Sequence, residues 1–209
     1  NTITALGQGS TPALTSSTIT LSPTVAVSGN AITVVRSKLT LSSATLGAAS
    51  GRARTAIDDM ANLSFTADSA DPITVNTVTL KFQGLAVSTG TSVSVNLIDP
   101  NTGTDWNSGS ASSCTSVGNS CSAVFTYLGS NIPTISAGTT KIVKIRVDSS
   151  LFYGNSVTGG ESLTIFVNTA STTGAANGTG INWGDGSTTN GLNLESTIVP
   201  FTVSNVSFE

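Results

Sequence analysis

Two antiparallel β-sheets packed face to face are what this 209-residue sequence predicts, and three observations predict them. The apolar residues fall in short runs crowded with Val, Ile and Thr, which suit a pleated, half-buried surface. No window of about ten residues repeats its apolar positions at the helical period. Between the runs stand Asp71-Pro72, Asp99-Pro100-Asn101-Thr102-Gly103, Ser136-Ala137-Gly138 and Thr158-Gly159-Gly160, all of them turn chemistry. The length suits one sandwich with an extension, or two very small domains.

Residues 1–29 read as an N-terminal extension and residues 30–209 as the sandwich. The first 17 residues, with Gln8-Gly9-Ser10-Thr11-Pro12, resemble a leader or linker. Residues 18–28 then alternate. Ile19, Leu21, Pro23, Val25 and Val27 share one parity, and Ser, Thr and Ala fill the other, giving one apolar and one hydroxyl edge. Pro23 cannot donate to a ladder, which points to an edge or a break. Gly29-Asn30 is a turn signal, and 32–41 reads as a long strand that changes parity, as a bulge would make it. Residues 47–62, Ala-rich with Arg52, Arg54, Asp58 and Asp59, read as a connection with room for one helical turn. Further strands are expected at 63–67, 73–82, 92–98, 123–127, 140–147, 162–167 and 197–206. About eight strands so joined describe a sandwich of immunoglobulin-like or jelly-roll kind.

Composition narrows the setting. Charged residues are 9% of the chain, whereas Ser and Thr make up about a third, so hydroxyls must cover the surface. That is unusual for a cytoplasmic enzyme. An apolar fraction of 38% argues against disorder. The net charge of −3 and the scattered cations Arg36, Lys38, Arg52, Arg54, Lys81, Lys141, Lys144 and Arg146 give no basic run for nucleic acid. No apolar stretch reaches the roughly 20 residues of a membrane-spanning helix. Asn1 reads as the first residue of a processed or trimmed chain.

The candidate chemistry is sparse. Cys114 and Cys121 read as a disulfide that fastens a surface loop, and with no histidine and no other cysteine a metal pair is a poor alternative. A disulfide implies an oxidising compartment. The absence of histidine removes Ser-His-Asp and Cys-His catalysis. Paired carboxylates remain formally open at Asp58/Asp59, Asp68/Asp71 and Glu161/Glu195, each in loop-like sequence where a solvated acid is the default, so no enzyme is expected. Asp99, Asn101 and Asp105 alternate as calcium ligands do, although the same residues make a good hairpin turn. Asp185 reads as a turn residue. Trp106, Trp183, Tyr127 and Tyr153 are the rings available for stacking a sugar. Arg52 and Arg54 are expected to pair locally with Asp58 and Asp59. A Lys-to-Asn amide cross-link would need Lys81 or Lys144, an asparagine and an acid to meet in the core. Asn62, Asn177 and Asn205 stand in glycosylation sequons.

At Val34-Val35-Arg36-Ser37-Lys38-Leu39-Thr40, Gly51-Arg52-Ala53-Arg54, Asp58-Asp59 and Val199-Pro200-Phe201-Thr202-Val203 the chain resembles β-sandwich domains of large bacterial cell-surface proteins, especially those of small-genome candidate phyla. The resemblance implies surface display and brings no catalytic residue. By architecture, the N-terminal extension is similar to the donor strands of extracellular filament subunits. The expectation is therefore a secreted, self-polymerising subunit of a filament or surface layer. Its assembly strand would carry Ile19, Leu21, Val25 and Val27. The plainer alternative makes 18–28 the first strand of its own sandwich. A second functional expectation is an adhesin or carbohydrate-binding module with glycan partners. No cofactor is expected beyond a calcium ion at Asp99, Asn101 and Asp105.

Overall fold

The computed structural model describes residues 2–5, 17–20, 36–84, 92–106, 112–115, 119–127, 131–152, 161–167, 180–185, 192–193 and 201–209. The chain divides into two compact units, Asn1–Val34 and Val35–Glu209. In the first, β1 (Thr2–Ala5) pairs antiparallel with β2 (Ser17–Thr20), and Ile3 stands opposite Ile19.

The second unit is a sandwich of two antiparallel sheets. One sheet has the order β3 (Leu39–Thr45), β4 (Asp58–Ala67), β10 (Thr140–Val147), β6 (Ser92–Ile98), β7 (Ser112–Thr115). The other is built on β5 (Ile73–Gln83), whose 11 residues extend about 33 Å at the usual rise. Each side of β5 takes two shorter strands end to end. Along one side lie β12 (Ile181–Gly184) and β11 (Ser162–Val167), and along the other β9 (Thr134–Ile135) and β8 (Ser120–Thr126). Beyond them, β13 (Leu192–Asn193) pairs β12, and β14 (Phe201–Ser207) pairs β11.

Alternation explains the layers. Leu63 and Phe65 of β4, Leu80 and Phe82 of β5, Val143 and Ile145 of β10, and Leu163 and Ile165 of β11 are buried, while the residues between them, Ser64, Lys81, Lys144 and Thr164, are only partly covered. Two aromatic groups fill the ends: Phe82 lies 6.2 Å from Phe152, and Trp106 packs 5.3 Å from Phe65 and edge-on to Tyr127. Gly84, at φ 150°, passes where a Cβ would stand 2.1 Å from the Ser162 carbonyl oxygen, so this crossing requires glycine.

Several expectations need correction. The 47–62 stretch holds no helical turn: β4 begins at Asp58, because the two acids find cationic partners and Met60 and Ala61 go into the core. Within the strand expected at 32–41, Arg36, Ser37 and Lys38 are not strand but precede β3, which begins at Leu39 and runs on to Thr45; residues 32–35 lie outside the described residues. Trp183, weighed as a ring for stacking a sugar, belongs to β12 and is buried. The largest correction concerns Cys114 and Cys121. They are bonded to each other, but both are buried in the core and join β7 of one sheet to β8 of the other. The disulfide is a staple between sheets, and Val93 and Phe82 stand opposite the two cysteines on the core side.

Candidate functional site

Ion pairs among the described residues stand near both ends of β5 and on the outer face of the sheet that holds β4 and β10. At the pole where β5 begins, the Arg36 backbone N–H donates to Asp185 Oδ2 at 2.6 Å, and its guanidinium meets Asp71 at 2.7 Å. Asp185 follows β12 directly and is 1% exposed. This is a buried acceptor, not a simple turn residue. It fixes the chain just before β3 begins.

At the pole where β5 ends, Arg52 and Arg54 do different work. Arg52 pairs with Asp58, as its local spacing suggests, and its Nη2 also donates to the Asp59 carbonyl at 2.9 Å. Gly47, at φ 71°, leaves room for this guanidinium, since a Cβ there would stand 2.9 Å from Nη1. Arg54 does not pair with Asp59. It reaches across the fold to Glu161, donates to the Glu209 carbonyl at 2.9 Å and lies 4.8 Å over the Phe208 ring. An ion pair between residues 107 apart leaves no local signal in the sequence.

Asp59 instead faces β10, where it accepts from Arg146 Nε at 2.7 Å and Lys144 Nζ at 2.8 Å. The hydrogen bond from Arg146, followed by that from Lys144, holds the Asp59 carboxyl below the usual aspartate range against its partial burial. Asn62 stands directly opposite Lys144, so a lysine, an asparagine and an acid do meet, on the outer face rather than in the core. Amide formation needs a neutral amine and a protonated acid. Arg146 and Lys144 instead both donate to the Asp59 carboxylate, which favours its ionised form, so the arrangement is an ion-pair cluster.

The other candidates have definite places. Asp99 and Asp105 flank the hairpin turn after β6, where Gly103 N–H donates to the Asp99 carbonyl at 2.8 Å. The Asp99 side chain takes Lys141 Nζ and the Asn101 backbone N–H, and Lys141 holds its carboxyl below the usual range. Asp105 accepts from the Asn96 amide. Among the described residues no three His, Cys, Asp or Glu side chains gather as a metal site. Asp68 caps the Ala70 N–H at 2.6 Å, so each described member of the carboxylate pairs weighed for acid–base chemistry has a cation or an amide to neutralise or hold it. Trp183 and Tyr127 are buried, Trp106 is packed against Phe65 and Tyr127, and no described aromatic side chain is exposed.

Asn205 is exposed on β14, whereas the Asn62 Oδ1 is buried in the middle of its sheet. Ile19 lies in β2. Leu21, Val25, Val27, Asn177, Tyr153 and Glu195 lie outside the described residues. No helix among the described residues is long and apolar enough to cross a membrane. No protein-family model, no curated protein and no solved structure matches this chain, so its two-sheet sandwich rests on the strand pairings described above.

Proposed function

We propose that the protein is a structural subunit of an extracellular filament or surface layer that polymerises by exchanging its N-terminal strand. The observation that carries this reading is the separate unit Asn1–Val34, whose described residues form one pair of short strands, β1 and β2, neither of which contains a charged residue. A two-stranded sheet is marginal in water without further strands or packing. Uncharged strand edges are also the ones that accept new partners, because charge is the usual guard against edge pairing. A second copy of the chain supplies that partner. Residues 18–28 add to its sheet through main-chain hydrogen bonds, with Ile19, Leu21, Val25 and Val27 at alternating positions for burial. The exchange releases Ile19 from Ile3. Four aliphatic side chains at about 1.5–3 kcal/mol each, before ordering costs, suffice to hold subunits together.

An extracellular setting fits the disulfide, since such bonds persist in oxidising compartments. It also fits an outer sheet face on which Thr40, Ser42, Ser64, Thr66 and Ser94 present hydroxyls. The test is electron microscopy of purified full-length protein beside a variant lacking residues 1–28. Regular polymers from the full chain, and folded monomers from the variant, are the expected result. Monomers from both, or the same polymers from both, would overturn the proposal.

A further inference from the structure

We propose that the sandwich is a load-bearing link, in which the segment 39–52 and the last strand form a clamp that resists tension by shear. Force carried along the chain enters the sandwich at Arg36 and leaves it at Glu209. These positions lie at opposite poles. Arg36 is bonded to Asp185, next to Gly184, which stands opposite Thr74 near the beginning of β5. The Phe208 N–H donates at 2.8 Å to the carbonyl of Glu161, which precedes β11 near the end of β5.

Between the poles, β3 and β14 run in the same direction along one side of the sandwich. Ser43 Oγ donates to the Thr202 carbonyl at 3.4 Å, and the Thr45 and Ser204 hydroxyls lie 3.0 Å apart. The contact continues past β3. The Ser207 N–H donates to the Ala49 carbonyl at 2.9 Å, Arg52 N–H to the Ser207 carbonyl at 3.0 Å, and Glu209 N–H to the Arg52 carbonyl at 3.3 Å, with Arg52 and Phe208 paired in parallel. Tension draws the 39–52 segment toward the first pole and β14 toward the second. Every one of these rungs lies across the pull, so they are strained together instead of one after another.

Both sides of the clamp are anchored. Arg52 ties the 39–52 segment to β4 through Asp58, and Arg54 ties the end of β14 through Glu161, the Glu209 carbonyl and the Phe208 ring. The inference goes beyond assembly, since it concerns one folded copy under load and needs no polymer.

Single-molecule pulling of the full chain tests it, because forced unfolding reads the unfolding rate. Handles at the two ends load the clamp in shear. Handles at the C-terminal end and at a Ser50→Cys site peel the same rungs from one end. At equal force, the folded state is expected to last at least about tenfold longer in shear, which corresponds to about 1.4 kcal/mol of barrier. The double variant Thr45→Val/Ser204→Ala removes one of these rungs, and it is expected to shorten the shear lifetime more than the peeling lifetime. Equal lifetimes in the two directions would overturn the proposal, as would a double variant that matches the parent in shear.

Discussion

The two sides of the sandwich are closed by different means. Where β7 meets β8, the seam is covalent: Cys114 is bonded to Cys121, only seven residues away, and Ser112 Oγ donates to the Val124 carbonyl at 2.9 Å. Where β3 meets β14, the seam consists of hydroxyls, backbone rungs and arginines, and it joins residues 159 apart. Closing a short loop is entropically cheap, so the first seam needs only its own hairpin-like segment. The second requires nearly the whole chain to be in place. The covalent side thus holds the sheets together locally, while the non-covalent side decides whether the sandwich closes as a unit.

Breaking each seam in turn sharpens this contrast. Arg52→Ala should have the largest effect, because it strands the buried Asp58 carboxylate; a loss of about 3–5 kcal/mol in urea unfolding is expected. Replacing both cysteines by alanine should cost less, about 2–3 kcal/mol by the loop-entropy relation, and the protein should remain folded. A cysteine variant less stable than Arg52→Ala would reverse the ranking of the two seams. Thr45→Val/Ser204→Ala should lower stability by about 1 kcal/mol in the same measurement.

The smallest effect expected is that of acid. Their cationic partners hold the carboxyl groups of Asp59 and Asp99 below the ordinary aspartate value of about 3.9. Folding is therefore stabilised by their ionisation above that value, and the contribution is lost as pH falls through the depressed folded-state range. Melting temperature should be flat above pH 5 with respect to these groups and fall below about pH 4, with a shallower fall in Asp59→Asn. An Asp59→Asn profile with the same acid slope as the parent would remove Asp59 from this role.

Much of the sandwich was legible in the sequence. Residues 92–98, 140–147 and 162–167 alternate cleanly and are strands over those spans, since each puts one parity into the core. The first half of β4 was hidden by Asp58 and Asp59, whose charges read as a loop until Arg52, Lys144 and Arg146 arrive from elsewhere in the chain. Trp183 was obscured in the same way by its Gly-rich surroundings, which carry no alternating pattern. The cysteine pairing followed from their number alone, but their place between the sheets did not, because Ser112–Thr115 shows no apolar periodicity. The pole contacts Arg36–Asp185 and Arg54–Glu161 join distant segments, and only the folded chain reveals them.

The proposed division of labour, in which the sandwich closes itself and the N-terminal unit joins copies, is tested most directly by hydrogen exchange on dispersed and assembled protein. In the assembled state, amides of residues 18–28 are predicted to become protected while those of β4, β5 and β10 stay as they were. Exchange at 18–28 that is equally fast in both states would contradict it.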